Sequence, residues 1–431
     1  MWTNWSGGQS CEPAAIERPG SVAEVAAAIE RARNAGRQIH AVGSGHSFTG
    51  CALTDGTMVD ASRLDQIIDV DISSGLVKVQ AGIKWHDLND KLWALGLGFS
   101  NLGDIDAQAV AGAVSTSTHG TGINRGNLPS QVEAIELVTA DGSVREFSRS
   151  DDPDRFHAAV VSIGTFGIVT ALTLRCVPAY TLRGADKVEP LGQVLDEMDD
   201  RVAANDHFEF YCFPYSDRAI TRTNNVVNQE PNPPNRAAQY LEDVVLTNHL
   251  FGGIQKVAKR IPKYTPQINR AVMRVASGHV RIDRSYRIFA TVRTVRFVEM
   301  EYAIPRPAVR DALTRVRDLI ERESLPISFP IETRFSAPDD SYLSTAHGRE
   351  TGYIAVHVHA GREWEPYFRG VEAIMNDYEG RPHWGKQNFQ TAEVLSQRYP
   401  KFAEFQRVRA ELDPEGIFAN EYSDRVLGPV I

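Results

Sequence analysis

Three glycine-rich turns, each beside a run of residues with strand character, constrain this chain more than any other feature of its sequence. The first lies within Ala41–Phe48, the second within Ala111–Gly122 and the third within Gly164–Gly167. Glycine lets a ligand approach the main chain closely, and successive N–H groups in such turns can face a bound anion. None of the turns is the single G-x-G-x-x-G that opens a helix in a Rossmann domain. Three separate turns therefore predict that several loops hold one large, phosphate-bearing cofactor.

The first turn runs through Gly43-Ser44-Gly45 into His46. A histidine beside a phosphate-binding loop can carry a proton, act as a ligand or act as a nucleophile toward an electrophilic cofactor. An ordinary strand-to-loop turn with an exposed histidine would explain the same residues. The segment alone leaves these alternatives open.

The second glycine-rich region extends over residues 101–122 and consists largely of small and hydroxyl side chains. It contains no Pro, Lys or Glu, so it does not have the composition of a solvated linker. A flexible polar loop is the alternative interpretation. We favour a segment on which a ligand lies against backbone N–H and side-chain O–H donors.

Composition limits the class of protein. A chain of 431 residues predicts two or three domains, and the net charge of -9 argues against nucleic-acid binding as the main function. The 4 cysteines have no paired spacing, which predicts neither a zinc site nor a disulfide framework. No apolar run reaches the length of a membrane span, and the N-terminus has no secretion signal. We expect a cytoplasmic protein, and peripheral contact with a membrane is left open.

The second half of the chain predicts an antiparallel sheet covered by helices, an arrangement of the α+β class. Its pattern indicates a surface loop at residues 224–236 and a basic helical excursion at residues 257–280. The amphipathic stretch Pro307–Ser324 predicts a helix, and a second helix is expected from about Glu365 to Tyr378. Strands are predicted at His207–Phe213, Arg287–Val295, Val298–Ile304, Leu325–Phe335 and Tyr353–His359.

Glu332 and Arg334 are two residues apart in an apolar strand, so they share one face of the sheet. A charge in an apolar strand is unfavourable unless it is paired or takes part in binding or catalysis. A structural ion pair is therefore the alternative to a functional role. His357 and His359 also share a face, but no third ligand has metal-binding spacing, and we interpret them as hydrogen-bonding or core histidines. Lys386, in the turn after His383, could hold negative charge that develops in a reaction, unless it is an incidental loop lysine.

Five motifs, in order along nearly the whole chain, resemble the aldonolactone oxidoreductases, a family of vanillyl-alcohol-oxidase-type flavoproteins. They are the glycine turn with His46, the region Ser115–Gly122, Phe166-Gly167-Ile168-Val169-Thr170, Glu332-Thr333-Arg334 and His383-Trp384-Gly385-Lys386. The resemblance implies an α+β fold with a two-subdomain FAD-binding domain of the PCMH/VAO type at residues 1–177. A substrate-binding cap domain with a large antiparallel sheet covered by helices would follow at 178–380, and a segment returning to the active site at 381–431.

The same resemblance implies FAD as the cofactor. The loop expected to cradle the FAD pyrophosphate comprises Val42, Gly43, Ser44, Gly45, His46 and Ser47, with His46 as the residue of a covalent flavin bond. The further cofactor-binding residues expected are Gly103, Asp104, Gly112, Thr116, Ser117, Thr118, His119, Gly120, Ile168 and His383. Gly103 matches a position where the plant relatives carry alanine, whose side chain is thought to block oxygen from the flavin. A glycine at this position favours oxidase activity.

The activity implied is FAD-dependent oxidation of a secondary alcohol in an aldono-1,4-lactone (L-gulono-, L-galactono- or D-arabinono-). Glu332 would orient the substrate hydroxyls, Arg334 would hold Glu332 ionised and Lys386 would stabilise the anionic reduced flavin. Molecular oxygen, a redox protein or a quinone would accept the electrons, and neither a metal nor nucleic acid is expected. The alternative is an alditol oxidase that acts on open-chain polyols with the same residues.

Overall fold

A computed structural model describes residues 1–233, 251–291, 293 and 295–430. The N-terminal half begins with a short hairpin of Trp2–Thr3 and Ser10–Cys11. A three-stranded parallel sheet follows, in the order Ala15–Glu17, Thr57–Asp60, Ile39–Val42. The helix Val22–Asn34 packs on it and begins at Ser21, whose side chain accepts a hydrogen bond from the Glu24 N–H. The first glycine turn therefore starts at the carboxyl end of a buried strand.

A five-stranded antiparallel sheet completes this half. Its order is Val144–Ser148, Val132–Val138, Ile168–Arg175, Leu76–Gln80, Ile67–Asp71. The helices Trp85–Ala94, Val110–Ser115 and Pro153–Ala159 pack beside it, and Leu97–Gly98 pairs with Val177–Pro178. The third glycine turn leads directly into the strand at Ile168. A Cβ on Gly167 would lie 2.5 Å from the Val138 carbonyl oxygen, so this position needs glycine.

The second half contains an eight-stranded antiparallel sheet, which we call the cap sheet. Its order is Val280–Arg284, Thr181–Pro190, Arg218–Val227, His207–Cys212, Ile331–Ser336, Thr351–His359, Phe297–Pro305, Arg381–Pro382. One face is apolar and is covered by the helices Leu191–Asp196, Met198–Ala204, Val309–Arg322 and Glu365–Asn376. The opposite face carries polar residues. The predicted sheet covered by helices is confirmed.

Three local predictions for the second half were wrong, the first in part: the predicted strand Leu325–Phe335 begins only at Ile331. Residues 224–227, predicted as part of a surface loop, lie in the strand Arg218–Val227, and residues 234–236 of that loop lie outside the described residues. The predicted strand Arg287–Val295 begins instead within the helix Ser285–Phe289. The basic excursion does contain helices, Phe251–Arg260 and Thr265–Val275.

The chain returns to the N-terminal half after the cap sheet. Arg381–Pro382 pairs with the edge strand Phe297–Pro305, and the helices Ala392–Arg398, Phe402–Leu412 and Glu421–Leu427 follow. The Phe405 and Phe166 rings lie 4.7 Å apart between centroids, within one apolar cluster. The division of the chain at residues 177 and 380 stays a prediction. Across the described residues, the structure has no helix long and apolar enough to cross a membrane.

Candidate active site

A cavity lies between the polar face of the cap sheet and the glycine-rich regions of the N-terminal half. Its empty volume is about 830 Å³, including the part open to solvent. The structure brings eight of the predicted site residues to its wall: Gly103, Asp104, Thr118, His119, Glu332, Arg334, His383 and Lys386. A smaller adjoining cavity shares His383 and Lys386 with it and adds His46, Ser47 and Thr116.

The first glycine turn lies beside the turn that carries Lys386. The Phe48 N–H donates to the Gly385 carbonyl oxygen at 2.7 Å, which joins the two segments. A Cβ on Gly43 would lie 2.8 Å from the Ala109 Cβ, and Gly45 has a φ of +65° beside the Trp2 ring. Among the described residues, no protein group accepts from the N–H groups at positions 44–47. A main-chain loop with unpaired donors fits an anionic ligand such as a pyrophosphate.

His46 is partly buried and stacks on Trp5, with 5.6 Å between ring centroids. Burial, together with the positive charges of Lys386 and Lys84, lowers the pKa of His46 to about 4. The imidazole is therefore neutral near pH 7. A neutral imidazole has a free nitrogen lone pair, which a nucleophile requires.

The second glycine-rich region lines the cavity from the other side. Gly120 passes so close to the segment before it that a Cβ would lie 2.3 Å from both Asn101 Oδ1 and the Leu102 carbonyl oxygen. Thr118 lines the cavity, and its hydroxyl is buried without a partner among the described protein groups. A buried, unpaired hydroxyl fits a ligand that supplies the missing hydrogen bond.

Not every predicted cofactor residue turns its side chain to the cavity. The Ser117 hydroxyl lies 3.2 Å from Ser344 Oγ and accepts from Asn127 Nδ2 in a buried network. Ile168 belongs to the apolar cluster beneath the helix Val22–Asn34. Gly112 is exposed, and a Cβ there would meet nothing within 4 Å. Val42 is buried at the end of its strand.

Glu332 and Arg334 lie on one face of the strand Ile331–Ser336, as the alternation predicted, and form an ion pair. Arg334 also lies 2.9 Å from Glu209 and 3.3 Å from Asp104. Burial raises the pKa of Glu332, against the opposing attraction of Arg334. Arg293 lies 2.8 Å from Asp104, and the two arginines outweigh burial and hold the pKa of Asp104 well below its usual range.

Lys386 forms an ion pair with Glu299, on the neighbouring part of the same sheet face. Burial alone would lower the pKa of Lys386, but the carboxylates of Glu299 and Glu301 outweigh it and raise this pKa. His357, the cross-strand partner of Glu299, lies 3.5 Å from that carboxylate. His119 Nε2 lies 3.1 Å from Glu301, and the His119 ring stacks on Tyr353.

His383 lies behind Lys386 at the junction of the two cavities. The ring nitrogen Nδ1 of His383 accepts from the Gly385 N–H at 3.0 Å, and the backbone N–H of His383 donates to the Glu301 carbonyl oxygen. Burial is the largest cause that lowers the pKa of His383 to about 3. His383 is therefore a neutral residue that shapes the turn leading to Lys386.

Sequence reasoning missed several charged and polar residues of this site: Glu209, Tyr211, Arg293, Glu299 and Glu301. Four of them were detectable by the alternation that identified Glu332 and Arg334. In Phe297–Pro305 the residues at even positions face the helices, which places Glu299 and Glu301 on the cavity side. In His207–Cys212 the same rule places Glu209 and Tyr211 there. Arg293, outside any strand, had no such signal.

The cavity combines many hydrogen-bond acceptors with few positive charges. Four carboxyl groups (Asp104, Glu299, Glu301 and Glu332) line it together with Arg293, Arg334 and Lys386, and the Glu209 carboxylate pairs with Arg334. Carboxylates accept hydrogen bonds from hydroxyl groups and repel other anions. This arrangement suits a neutral, polyhydroxylated molecule better than a carboxylate or a phosphate.

The sequence matches two family models. Residues 13–148 match the model described as FAD binding domain, and residues 172–426 match the one described as D-arabinono-1,4-lactone oxidase. The second match covers more than half of the chain and includes Glu332, Arg334 and Lys386. Together the two matches span both walls of the cavity.

Individual proteins are similar to this chain over nearly its whole length. The chain is 49% identical to an L-gulono-1,4-lactone dehydrogenase from Mycobacterium tuberculosis, over 100% of this chain and 99% of the relative. It is 31% identical to an L-gulonolactone oxidase from Mus musculus, over 99% of this chain and 98% of the relative. Its fold is similar to that of a cholesterol oxidase from B. sterolicum, with a TM-score of 0.83 at 16% identity over 99% and 96% of the two chains.

Proposed function

Because this chain belongs to the D-arabinono-1,4-lactone oxidase family, we propose that it is an FAD-dependent oxidoreductase acting on the secondary alcohol of an aldono-1,4-lactone. The family match spans the residues that line the cavity on the cap-sheet side. The match to an FAD binding domain spans the first two glycine-rich regions. The cavity between them is where cofactor and substrate would meet.

FAD, when bound, supplies the acceptor for the hydride that leaves the alcohol carbon. The loop Val42–Ser47 would hold its pyrophosphate, with the unpaired N–H groups at positions 44–47 as donors. His46 is the proposed covalent attachment point, since its low pKa keeps the imidazole neutral and nucleophilic. Thr116 and Thr118 would add hydroxyl contacts from the second glycine-rich region.

Glu332 would accept a hydrogen bond from the substrate hydroxyl at the reacting carbon. Its raised pKa suits a group that takes the hydroxyl proton as the hydride leaves. Arg334 would fix the Glu332 side chain and stabilise negative charge that develops on the substrate oxygen. Lys386 would place a positive charge next to the reduced cofactor, and Glu299 would orient it.

The observation that carries this proposal is the charge of the cavity. Aldono-1,4-lactones are neutral and rich in hydroxyl groups, whereas the aldonic acids from which they form are anions. The four carboxyl groups that line the cavity, against three basic groups, favour the lactone. The enzyme is therefore expected to oxidise lactones and to leave the corresponding aldonates unreacted.

A substrate panel tests the proposal. Purified flavoprotein is offered L-gulono-, L-galactono- and D-arabinono-1,4-lactone, their open-chain aldonates and a set of alditols, each with oxygen and with an artificial electron acceptor. At least one lactone should give the highest kcat/KM, and the aldonates should give none. Faster oxidation of alditols would show the alternative activity, an alditol oxidase with the same residues, and would contradict the proposal.

The electron acceptor is the second part of the proposal. Gly103 lines the cavity without a side chain, and this open position favours reaction of the reduced flavin with oxygen. A redox protein or a quinone is the competing acceptor. Comparing rates with oxygen and with the artificial acceptor in the same panel distinguishes an oxidase from a dehydrogenase.

A further inference from the structure

The two helices Phe251–Arg260 and Thr265–Val275 form a hairpin with an unusual charge pattern. Residues 251–282 contain no Asp or Glu, although the whole chain has a net charge of -9. The basic residues of this segment are Lys256, Lys259, Arg260, Lys263, Arg270, Arg274 and Arg281. A local positive surface on an acidic protein indicates a negatively charged partner.

We call residues 256–264 the hairpin tip: they comprise the end of the helix Phe251–Arg260 and the connection to the helix Thr265–Val275. Three apolar or aromatic side chains of the tip are exposed: Val257 by 50%, Ile261 by 42% and Tyr264 by 45%. Val257 and Ile261 are four residues apart, and the Ile261 N–H donates to the Val257 carbonyl oxygen, so they share one face. Lys256, Arg260 and Lys263 alternate with them along the chain and are also exposed.

The basic groups of the tip form no ion pair with another residue that the structure describes. Elsewhere, exposed arginines form ion pairs; Arg310, for example, contacts Asp196. Within the part of the chain that the structure describes, Lys256, Arg260 and Lys263 have no acidic partner. The Lys263 ammonium instead lies 5.1 Å from the centroid of the Tyr264 ring. Unpaired cations beside exposed apolar side chains remain available to an external surface.

Two buried amides hold the hairpin against the cap sheet. Gln255 Nε2 donates to the Ser328 carbonyl oxygen at 3.1 Å. Asn269 Nδ2 donates to the carbonyl oxygens of Pro214 and Ile327 at 3.0 and 2.9 Å. Phe329, next in the chain, lines the cavity. The hairpin is therefore fixed to the segment that forms one side of the active-site wall.

We propose that the hairpin tip docks on an anionic lipid surface. Lys256, Arg260 and Lys263 would contact headgroup phosphates, while Val257, Ile261 and Tyr264 enter the interface between headgroups and acyl chains. A lipid surface is anionic at the headgroups and apolar just beneath them, and the alternating basic and apolar residues of the tip match both layers. An acidic protein surface offers the negative charge without the apolar layer. The proposal does not depend on which alcohol the enzyme oxidises.

Sedimentation of the intact flavoprotein with vesicles tests this. Vesicles of phosphatidylcholine alone are compared with vesicles of equal parts phosphatidylcholine and phosphatidylglycerol, at low and high salt. Binding should require phosphatidylglycerol and weaken at high salt. Each basic residue near such a surface contributes about fivefold in partitioning, so K256Q/R260Q/K263Q together should lower it on the order of 100-fold.

Matched controls separate the tip from net charge. The same number of charges is removed elsewhere, at exposed residues, in the variant R37Q/K91Q/K187Q. This control should bind as the unmodified protein does, and V257S/I261S, which keeps every charge of the tip, should bind more weakly. Flavin absorbance and substrate oxidation without vesicles show that each variant is folded. No binding to anionic vesicles, equal binding to phosphatidylcholine alone, or full binding by the tip variants would overturn the proposal.

Discussion

The Lys386 ammonium is paired with the Glu299 carboxylate inside the cavity, although the two residues are 87 positions apart in the chain. Glu299 belongs to the cap sheet, whereas Lys386 follows the last strand of that sheet. The pair therefore fixes the returning segment against the substrate side of the site. It also sets the protonation of Lys386, because the carboxylates of Glu299 and Glu301 raise the pKa of this lysine against the effect of burial.

Replacing Glu299 by Gln should lower the pH at which activity is lost on the alkaline side of the pH profile. A lysine with a raised pKa keeps its proton to higher pH, and the variant loses the strongest attraction that raises it. Anaerobic reduction of the flavin by lactone, followed by stopped flow across the pH range, measures the effect. The alkaline limb should move to lower pH for E299Q, and for E301Q it should move less. An unchanged limb in E299Q would show that Lys386 does not govern this step.

His46→Ala should convert an acid-stable flavin into a releasable one. His46 is the proposed site of the covalent bond, since its imidazole is neutral near pH 7 and borders the smaller cavity. After acid precipitation, the unmodified protein should give a yellow pellet and H46A a colourless pellet with free FAD in the supernatant. His86→Ala, a change at a histidine bound to the Asp106 carbonyl oxygen, should behave like the unmodified protein. A colourless pellet from the unmodified protein would exclude the covalent bond.

Gly103→Ala should slow the reaction of the reduced flavin with oxygen. A Cβ at this position would lie 3.2 Å from Thr118 Cγ2 and 3.5 Å from the His119 carbonyl oxygen, so a small adjustment accommodates it. The rate constant for oxygen-dependent reoxidation should fall, while reduction by substrate changes little. In G103A/T118S the Thr118 methyl is removed, and part of the oxygen reactivity should return. Equal reoxidation in all three proteins would contradict an open path at Gly103.

Two glycines of the second glycine-rich region should respond in opposite ways to alanine. Gly120→Ala places a Cβ 2.3 Å from two oxygen atoms, and overpacking of this kind costs about 1–3 kcal/mol of the free energy of unfolding. Gly112→Ala meets nothing within 4 Å in the helix Val110–Ser115 and should stabilise the apoprotein by up to about 1 kcal/mol. Urea unfolding of apoprotein in the H46A background measures both.

The variants G112A and G120A also test whether Gly112 contacts the cofactor. If FAD lies over the exposed Gly112, the alanine variant should bind FAD more weakly in a titration although its unfolding free energy is unchanged or higher. Undiminished FAD affinity in G112A would remove Gly112 from the cofactor site. G120A should lose both stability and FAD affinity, because its segment must shift.

Local patterns predicted much of the fold and part of the site. The amphipathic period of Pro307–Ser324 located the helix Val309–Arg322, and alternation placed Glu332 and Arg334 on one face. The strand Arg218–Val227 was missed because its Asn residues disfavour strands, yet Asn224 is buried between neighbouring strands. Tertiary packing outweighs β-propensity at such positions.

The remaining site residues depend on contacts between distant parts of the chain. Glu299 and Glu301 are two residues apart, as Glu332 and Arg334 are. Because both are acidic, the strand itself contained no opposite charge that suggested an ion pair. Their partners, Lys386 and His119, come from segments far along the chain in either direction. Arg293 lies outside any strand, and its contact with Asp104 is visible only in the folded chain.

The most direct test of the proposed function is anaerobic flavin reduction in single-turnover experiments, with the lactone that performs best in the substrate panel. The unmodified protein should bleach the oxidised flavin absorbance with that lactone and not with its aldonate. R334A should slow bleaching by roughly 100- to 1,000-fold, the usual effect of removing a group that stabilises charge in the transition state, and R334K should recover part of the loss. Glu332→Gln should also slow it. Bleaching at the unmodified rate in both E332Q and R334A, or none with any lactone, would contradict the assignment of this cavity as an aldonolactone-oxidising site.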